Sequence, residues 1–288
     1  MEIKLRLGGI LFSFLTDSVF IVNRELLPFL EEHEGKADIT VQLSRDWESV
    51  KLPVTEPTGE DALLKYYAEG DVRFCITKGG PKGPVACTCY TSDFRKVRCT
   101  LNDEPFLMPP KTLGSVLRML PMREIFLHFH ILFLHGSQIA VRQKGIVFSA
   151  PSGGGKSTQA MLWKTYRDAK IICNDRTLLQ KDKGQWYTHG YPLDGSAPVC
   201  SGQVFGLGSV VLLEQGVTNE VQRLKARSAV ARLMHQVVMD AWSSESRNRT
   251  LELLLELMND IPVYLLTCTA DERAVEILEA KLMEVGVL

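Results

Sequence analysis

The residues whose types and spacing most clearly suggest chemistry form a glycine-rich stretch near the centre of the chain. Residues 150–158 read Ala-Pro-Ser-Gly-Gly-Gly-Lys-Ser-Thr. They follow the pattern of a phosphate-binding loop, with Ala150 in place of the usual first glycine. An apolar run precedes them and a segment with helical periodicity follows, which is the context that this motif requires. The stretch therefore predicts a site for the phosphates of a nucleotide.

Each residue type in this phosphate loop (residues 150–158) suits contact with phosphate. Three consecutive glycines let backbone N–H groups approach an anion, and the N-terminus of the next helix adds its positive dipole end. Lys156 is predicted to reach the outer phosphates, and Ser157 to bind a magnesium ion between them. The predicted nucleotide-binding residues are Ser152, Gly153, Gly154, Gly155, Lys156, Ser157 and Thr158. The alternative interpretation is a flexible glycine turn between a strand and a helix.

A carboxylate follows at a position that suits the metal. Asp175 stands nineteen residues after Lys156, at the end of an apolar strand pattern. In phosphate-loop proteins a strand beside the loop commonly delivers an acid to the magnesium ion, so Asp175 is predicted to share the metal with Ser157. Two alternatives remain. Asn174 and Asp175 could form a strand-end turn that bonds to its own backbone, or the acid could be Glu214, which ends the apolar run at 210–213.

These residues resemble the catalytic domain of HPr kinase/phosphorylase, a family related to phosphoenolpyruvate carboxykinase. The resemblance covers approximately residues 133–270 and rests on His135-Gly136, residues 145–148, residues 152–157 and Asn174-Asp175-Arg176. In detail the chain is more similar to divergent HPr-kinase-like proteins encoded in peptide natural-product pathways. That closer similarity rests on residues 148–153, 190–192, 213–215 and 261–266.

The resemblance implies an ATP- and Mg2+-dependent kinase that transfers the γ-phosphoryl group to a hydroxyl. Its implied catalytic residues are Asp175, His135, Arg176 and Lys156, and its implied metal ligands are Ser157 and Asp175. The implied acceptor is a serine of a peptide or small protein, such as a natural-product precursor peptide. A homo-oligomer is an implied assembly, because HPr kinases form hexamers.

One residue departs from the family pattern. The family's proton-accepting aspartate aligns with Asn174, and an amide cannot act as a base. Either Asp175 is both base and metal ligand, or His135 or Asp194 accepts the proton, or the protein binds nucleotide without transferring phosphate. Two other classes of function therefore stay open. One is a non-catalytic nucleotide-binding regulator or peptide-binding accessory protein, and the other is a phosphate-loop ATPase of another lineage that uses Glu214.

Patterning along the chain predicts a fold of the α/β (α+β) class in three parts. Residues 1–110 show short alternating runs separated by glycine and proline, at 3–15, 19–22, 38–43, 72–77, 85–91 and 96–101. These runs predict the strands of a small β-rich N-terminal domain that could recognise the acceptor. Residues 111–134 have helical spacing and predict a bridge. Residues 135–288 mix both patterns, and their predicted elements include helices at 156–166, 228–242 and 249–258 and strands at 170–173 and 262–267. The resemblance implies that they form the nucleotide-binding catalytic domain, a phosphate-loop kinase domain of the HPr-kinase type.

Composition excludes some partners. The 33 basic and 34 acidic residues are well mixed, with a net charge of -1, so no basic field is predicted for nucleic acid or an anionic membrane. The longest apolar stretch, residues 125–134, is much shorter than the ~20 residues that span a bilayer. The seven cysteines are odd in number and lack paired CxxC spacing, which indicates reduced thiols in a cytoplasmic protein.

Overall fold

The computed structural model describes residues 1–32, 35–79, 82–105, 110–193 and 200–288. These residues form a mixed α/β protein with two eight-stranded sheets. They divide into two compact units. The first unit contains residues 1–128 and 240–244, and the second contains residues 129–239 and 245–288. The division after residue 128 falls within the segment predicted as a helical bridge.

The sheet of the first unit is antiparallel except around its third strand. In chain order its strands are β1 (Glu2–Leu7), β2 (Ile10–Thr16), β3 (Ile39–Ser44), β4 (Gly59–Glu60), β5 (Leu64–Glu69), β6 (Val72–Thr77), β7 (Ala86–Thr91) and β8 (Lys96–Leu101). Their order in the sheet is β1-β2-β3-β8-β7-β6-β5-β4, and β3 runs parallel to both β2 and β8. The helices are α1 (Leu113–Leu117) and α2 (Met122–His128), with two short 3-10 helices at Arg24–Phe29 and Trp47–Ser49.

Most of the strand predictions for this half are confirmed. The runs at 38–43, 72–77, 85–91 and 96–101 form β3, β6, β7 and β8. Two predictions were wrong. Residues 3–15 form a hairpin rather than one strand, because Gly8 and Gly9 turn the chain with positive φ values. Residues 19–22 form no strand beyond a single bridge at Ile21.

The second unit contains the other sheet and most of the helical residues. Its strands are β9 (Ile131–Val141), β10 (Lys144–Ser149), β11 (Lys170–Cys173), β12 (Arg176–Asp182), β13 (Gln185–Gly190), β14 (Val204–Gln215), β15 (Glu220–Arg223) and β16 (Val263–Cys268). The helices that accompany them are α3 (Lys156–Arg167), α4 (Ala226–Leu233), α5 (Ser244–Asp260) and α6 (Glu272–Glu284).

Five strands of this sheet close on themselves. The strand order is β10-β9-β12-β13-β14-β16-β15, β11 lies beside β9, and β10 also pairs with β14. The strands β10, β9, β12, β13 and β14 therefore form a ring. Buried polar side chains link three of them: Thr177 Oγ1 donates to Gln138 Oε1 at 3.0 Å and lies 3.1 Å from Thr188 Oγ1.

An apolar core fixes the connection between β10 and α3. Phe148 of β10, Val211 of β14 and Tyr264 of β16 belong to one buried cluster with Trp163 of α3. Trp163 is fully buried, and its ring centroid lies 6.4 Å from that of Phe148. Burying aromatic side chains of this size dominates the energetics of a core. The core therefore holds the phosphate loop between a fixed strand end and a fixed helix start.

The element predictions for this half are confirmed where the pattern was local. The predicted helices at 156–166 and 249–258 are α3 and α5, and the predicted strands at 170–173 and 262–267 are β11 and β16. The helix predicted over 228–242 was too long, because α4 ends at Leu233. Beyond it, Val237 bridges Leu134, and the N–H of Val238 donates to the carbonyl of Phe133 at 2.7 Å. Pairing with β9 ends the helix. Strand β15 was not predicted.

Across the described ranges, no helix combines the length and the apolar character that crossing a bilayer would need.

The ring predicts a contrast between two glycines on its paired strands β10 and β14. A Cβ at Gly145 would lie 2.2 Å from Thr188 Cγ2, whereas a Cβ at Gly206 would have no heavy atom within 4 Å. Thr188 is buried and hydrogen-bonded, so it cannot move aside. We expect Gly145→Ala to lower the free energy of unfolding by about 1–3 kcal/mol, and the control Gly206→Ala to change it by less than about 0.5 kcal/mol. Urea denaturation measures both, and equal effects would contradict the ring geometry.

Candidate active site

The phosphate loop has the backbone that its sequence pattern requires. Gly153 and Gly155 have φ values of 79° and 91°, in the left-handed region that favours glycine. Gly155 is also the N-cap of α3. At Gly154 a Cβ would lie only 2.6 Å from the Cβ of Ala150. The loop therefore turns tightly at the N-terminus of α3, the end of a helix whose first backbone N–H groups lack partners within the helix and can bind an anion.

Lys156 opens α3 and is buried beneath its own loop. Its Nζ donates to the carbonyl oxygens of Ala150 at 2.8 Å and Pro151 at 3.1 Å. Burial lowers the pKa of Lys156, nearby Arg176 lowers it further, and the Asp175 carboxylate opposes both effects. The loop carbonyls thus satisfy the ammonium group and hold it in place at the end of β10.

His135 and Asp175 form a hydrogen-bonded pair. His135 lies in β9, whereas its position after the helical segment predicted over 111–134 placed it at a helix end. Its Nε2 is 2.8 Å from Asp175 Oδ1. Burial lowers the pKa of His135, the positive charge of Lys156 adds to that effect, and the hydrogen bond to the Asp175 carboxylate opposes it. A neutral imidazole is therefore favoured at pH 7. With Nε2–H donated to Asp175, the lone pair of the ring lies on Nδ1.

The backbone of His135 is held at both ends. Its N–H donates to the carbonyl of Gln236 at 2.9 Å, and its carbonyl accepts from Ser149 Oγ at 2.8 Å. The next residue, Gly136, donates its N–H to the carbonyl of Asp175 at 3.1 Å. Strands β9, β10 and β12 therefore fix the His135–Asp175 pair relative to the phosphate loop.

Asn174 and Asp175 both reach one face of β9. Asn174 Oδ1 accepts from Ser137 Oγ at 3.0 Å, and Asp175 bonds His135. His135 and Ser137 are two apart on one strand and so share a face. Consecutive residues of a regular strand would point to opposite faces, but the pairing with β9 is irregular at β11 and the chain leaves strand geometry at 174–175. This break brings an amide and a carboxylate to the same side.

The structure brings the four residues predicted to be catalytic into one electrostatic cluster. The charges of Asp175 and Arg176 shift the pKa of both His135 and Lys156, and the charge of Lys156 also shifts the pKa of His135. Arg176 pairs with His135 across β12 and β9, and its guanidinium carbon lies 5.9 Å from the ring centroid of Phe133. Two cations, a carboxylate and an imidazole thus share the end of the phosphate-loop strand, an arrangement that can bind phosphate and transfer a proton.

The other predicted site residues divide into three groups. Ser152, Ser157 and Thr158 are exposed on the loop and the first turn of α3. Glu214, near the end of β14, forms an ion pair with Arg232, with 2.5 Å between Oε1 and Nη1. Asp194 lies outside the described residues.

Sequence reasoning assigned no role in the site to three polar residues that support it. Ser149 and Ser137 bond His135 and Asn174, and Gln215 Nε2 donates to the carbonyl of Gly153 at 3.1 Å. Strand periodicity could have identified Ser137, because it lies two residues after His135 and shares its face. Nothing local indicates the role of Gln215, which reaches the loop from a neighbouring strand.

Comparison with known proteins identifies one family. A family model described as SynChlorMet cassette protein ScmC matches residues 115–284, more than half of the chain. Among solved structures, the Hpr(Ser) kinase/phosphatase from Coxiella burnetii aligns over 54% of this chain and 99% of its own, at 10% sequence identity and a TM-score of 0.33. A TM-score this low supports no argument about fold or function. No curated protein matches the chain.

Two lysines of α3 give a matched test of the phosphate loop. Lys156 is buried under the loop, whereas Lys164 is exposed two turns later. We expect Lys156→Ala to weaken ATP binding about ten- to hundredfold, because a hydrogen bond to a charged group contributes about 1.5–3 kcal/mol. Lys164→Ala removes the same charge and should leave the dissociation constant unchanged. Calorimetric titration with ATP and Mg2+ measures both, and an equal loss in the two variants would argue against a site in this loop.

Proposed function

We propose that this chain, which belongs to the SynChlorMet cassette protein ScmC family, is an ATP- and Mg2+-dependent kinase of the HPr-kinase-like type. It transfers the γ-phosphoryl group to a hydroxyl, namely a serine of a peptide or small protein. The observation that carries the proposal is the cluster of Lys156, His135, Asp175 and Arg176 at the end of the strand that enters the phosphate loop. A phosphate loop alone would suit any nucleotide-binding protein, but the acid–imidazole pair beside it suits phosphoryl transfer.

The loop residues fit the phosphates of a nucleotide. Gly153 and Gly155 adopt left-handed conformations, of the kind in which successive backbone N–H groups can converge on an anion. Lys156 is already desolvated and held by loop carbonyls. In phosphoryl transfer, catalysis relies mostly on positioning and on neutralising charge. Lys156 and Arg176 supply the positive charge in this proposal, and the burial of Lys156 makes its charge more effective.

Hard oxygen donors at the site fit magnesium. Ser157 supplies a hydroxyl from the first turn of α3, and Asp175 supplies a carboxylate, and both are oxygen ligands of the type that Mg2+ prefers. When bound, Mg2+ would neutralise the charge that develops on the phosphate oxygens. We assign the metal to Asp175 rather than Glu214, since Asp175 bonds His135 whereas Glu214 is paired with Arg232.

The His135–Asp175 pair supplies the proton acceptor. Asp175 orients the imidazole through Nε2, so Nδ1 can accept the proton of the attacking hydroxyl. The lowered pKa of His135 keeps the ring neutral and able to accept. In this assignment Asp175 need not serve as the base, and the amide at Asn174 does not prevent transfer.

The acceptor is proposed to bind the β-rich half of the chain. The described part of that half contains a cavity of about 440 Å³, a size that suits a small ligand or a peptide side chain. Its lining includes Leu52, Tyr67 and Ile76, with Lys65 and Lys78 among the polar groups. Apolar walls with lysines beside them suit a peptide that carries an apolar side chain near a carboxylate. In this proposal the acceptor is a natural-product precursor peptide, and the protein forms a homo-oligomer in the cytoplasm.

A second candidate function is nucleotide binding without transfer. The observation in its favour is that the amide of Asn174 accepts a hydrogen bond from buried Ser137. The amide thus has a defined structural partner at the position where the HPr-kinase resemblance expects a base. A nucleotide-binding regulator or peptide-binding accessory protein would need only the phosphate loop and the hydrogen bond that holds Asn174.

Mass spectrometry of candidate acceptors tests the kinase proposal. Peptides and small proteins encoded beside this chain's gene are incubated with ATP and Mg2+ and the wild-type protein. We expect one acceptor to gain a phosphate on a serine, and we expect Lys156→Ala and Asp175→Asn to abolish the gain. Glu214→Gln serves as the control and should retain transfer. The reverse pattern, with Glu214→Gln inactive in ATP turnover and Asp175→Asn mild, would support an ATPase of another lineage.

The amide at 174 provides a second test. A carboxylate there could still accept from Ser137 and would add the base that the HPr-kinase pattern contains. General base catalysis contributes about 10²–10⁴-fold, but His135 is the proposed base, so we expect Asn174→Asp to change the transfer rate by less than about tenfold. Asn174→Ala is the control, because it loses the hydrogen bond from Ser137 without adding a carboxylate. An Asn174→Asp rate about a hundredfold above wild type would show that a base is missing at 174 and would contradict the role of His135.

A further inference from the structure

Two cysteines face each other immediately before the Asn174–Asp175 break. Cys173 ends β11 and forms an isolated antiparallel bridge with Cys200. Beside the bridge, the N–H of Ser201 donates to the carbonyl of Ile172 at 2.9 Å. The backbone bond therefore joins the flanking residues, and the cysteines occupy a pair of the non-hydrogen-bonded kind. Cα atoms in such pairs are about 4.5 Å apart, within the range of about 4.4–6.8 Å that a disulfide spans.

The two thiols are in contact. Their side chains share a hydrogen bond, and Gly190 of β13 packs against both. A Cβ at Gly190 would lie 2.6 Å from Cys200 Sγ and 3.3 Å from Cys173 Cβ. Only glycine at position 190 therefore leaves room for the Cys200 sulfur. Backbone pairing and packing together hold the thiols next to each other.

We propose that Cys173 and Cys200 form a modification site that takes an intramolecular disulfide by exchange with a low-molecular-weight disulfide such as oxidised glutathione. Cys200 is partly exposed whereas Cys173 is 3% exposed, so oxidised glutathione reaches Cys200 first. The hydrogen bond with Cys173 and burial raise the pKa of Cys200, which makes this first step slow at neutral pH. The Cys200 sulfur attacks the glutathione disulfide, forms a mixed disulfide and releases one glutathione thiol. The Cys173 sulfur then attacks Cys200 Sγ and releases the second. Over the two steps, the two cysteine thiols lose two electrons and two protons. One molecule of oxidised glutathione takes them up and becomes two glutathione thiols.

The modification acts on the turn that carries Asp175. In the reduced protein, Cys173 Sγ donates to the carbonyl of Arg176 at 2.9 Å and so spans Asn174 and Asp175. A disulfide removes that hydrogen and redirects the sulfur to Cys200. The turn then loses the side-chain bond that closes it. This step rests on the proposed function, because it assigns the metal to Asp175. The lost bond supports the turn and does not contact the Asp175 carboxylate itself. Groups that orient a metal ligand change metal affinity about 10–100-fold when they are lost, and we expect an effect near the lower end.

Mapping the cross-link by mass spectrometry tests the site without any nucleotide. The reduced full-length protein is incubated with oxidised glutathione, alkylated and digested with trypsin without reduction. We expect residues 171–176 to be joined to residues 184–223, the tryptic peptides that carry Cys173 and Cys200. Cys173→Ser should trap glutathione on Cys200, and Cys200→Ser should leave Cys173 unmodified. Cys89→Ser, which removes another partly exposed thiol, should retain the cross-link.

The outcomes separate this proposal from the proposed function. Glutathione that remains on Cys200 in the wild-type protein without a cross-link would overturn the site, and so would equal cross-linking among the other cysteines. The wild-type map needs no variant to fold. ATP binding is then measured with Mg2+ before and after oxidation, and we expect it to be about tenfold weaker in the cross-linked protein and restored by dithiothreitol. Unchanged binding would overturn the effect on Asp175 but leave the disulfide. A protein that cross-links yet never binds ATP would refute only the kinase function.

Discussion

The arrangement of the second unit depends on the pairing of β9 along both of its sides. Strand β10 pairs with β9 on one side and leads into the phosphate loop. Strands β11 and β12 pair with β9 on the other side and are separated by Asn174 and Asp175. Neighbouring strands lie only about 4.8 Å apart, so side chains from three distant parts of the sequence meet at one point of the sheet. His135, on the central strand, contacts the acid and lies near the buried lysine without a long loop.

This pairing also explains the electrostatics of the cluster. Burial alone lowers the pKa of both Lys156 and His135, because it disfavours their charged forms. Asp175 counteracts the effect in each case, so a single carboxylate supports two basic groups. The site without its ligand therefore holds more positive than negative charge in partly desolvated surroundings. Such an excess favours an anion with several charges, and preorganised charge of this kind needs no rearrangement during a reaction.

The sequence predicted what local patterns encode and missed what distant pairing decides. Glycine spacing, the apolar run before it and the helical period after it located β10, the phosphate loop and α3. The local pattern placed His135 at the end of the helical segment predicted over 111–134, because residues 125–134 are apolar apart from His128 and His130. The structure instead begins a strand at Ile131, which pairs with Gln180 far along the chain. Only the spacing shared with HPr kinases pointed from the sequence to His135.

The overlong prediction for α4 has the same physical origin. Residues 234–242 retain enough helical periodicity to extend the pattern, but backbone bonds to β9 compete with the helix and prevail at Val237 and Val238. Gln236 then supplies the carbonyl that holds His135. The contact between Asp175 and His135 and the support from Gln215 likewise come from tertiary pairing, which no single segment of sequence specifies.

The ring of strands also limits how other chains can attach to this unit. An open sheet presents an unpaired strand at each end, and such edges can recruit a strand from another molecule. Here β10, at one end of the strand order, also pairs with β14 and is not a free edge. At the other end of the order, β15 is the outer strand. That strand has only four residues and has charged Glu220 and Arg223 at its ends, features that discourage edge-to-edge association. Strand β15 is therefore a poor template for lengthening the sheet with a strand from another chain.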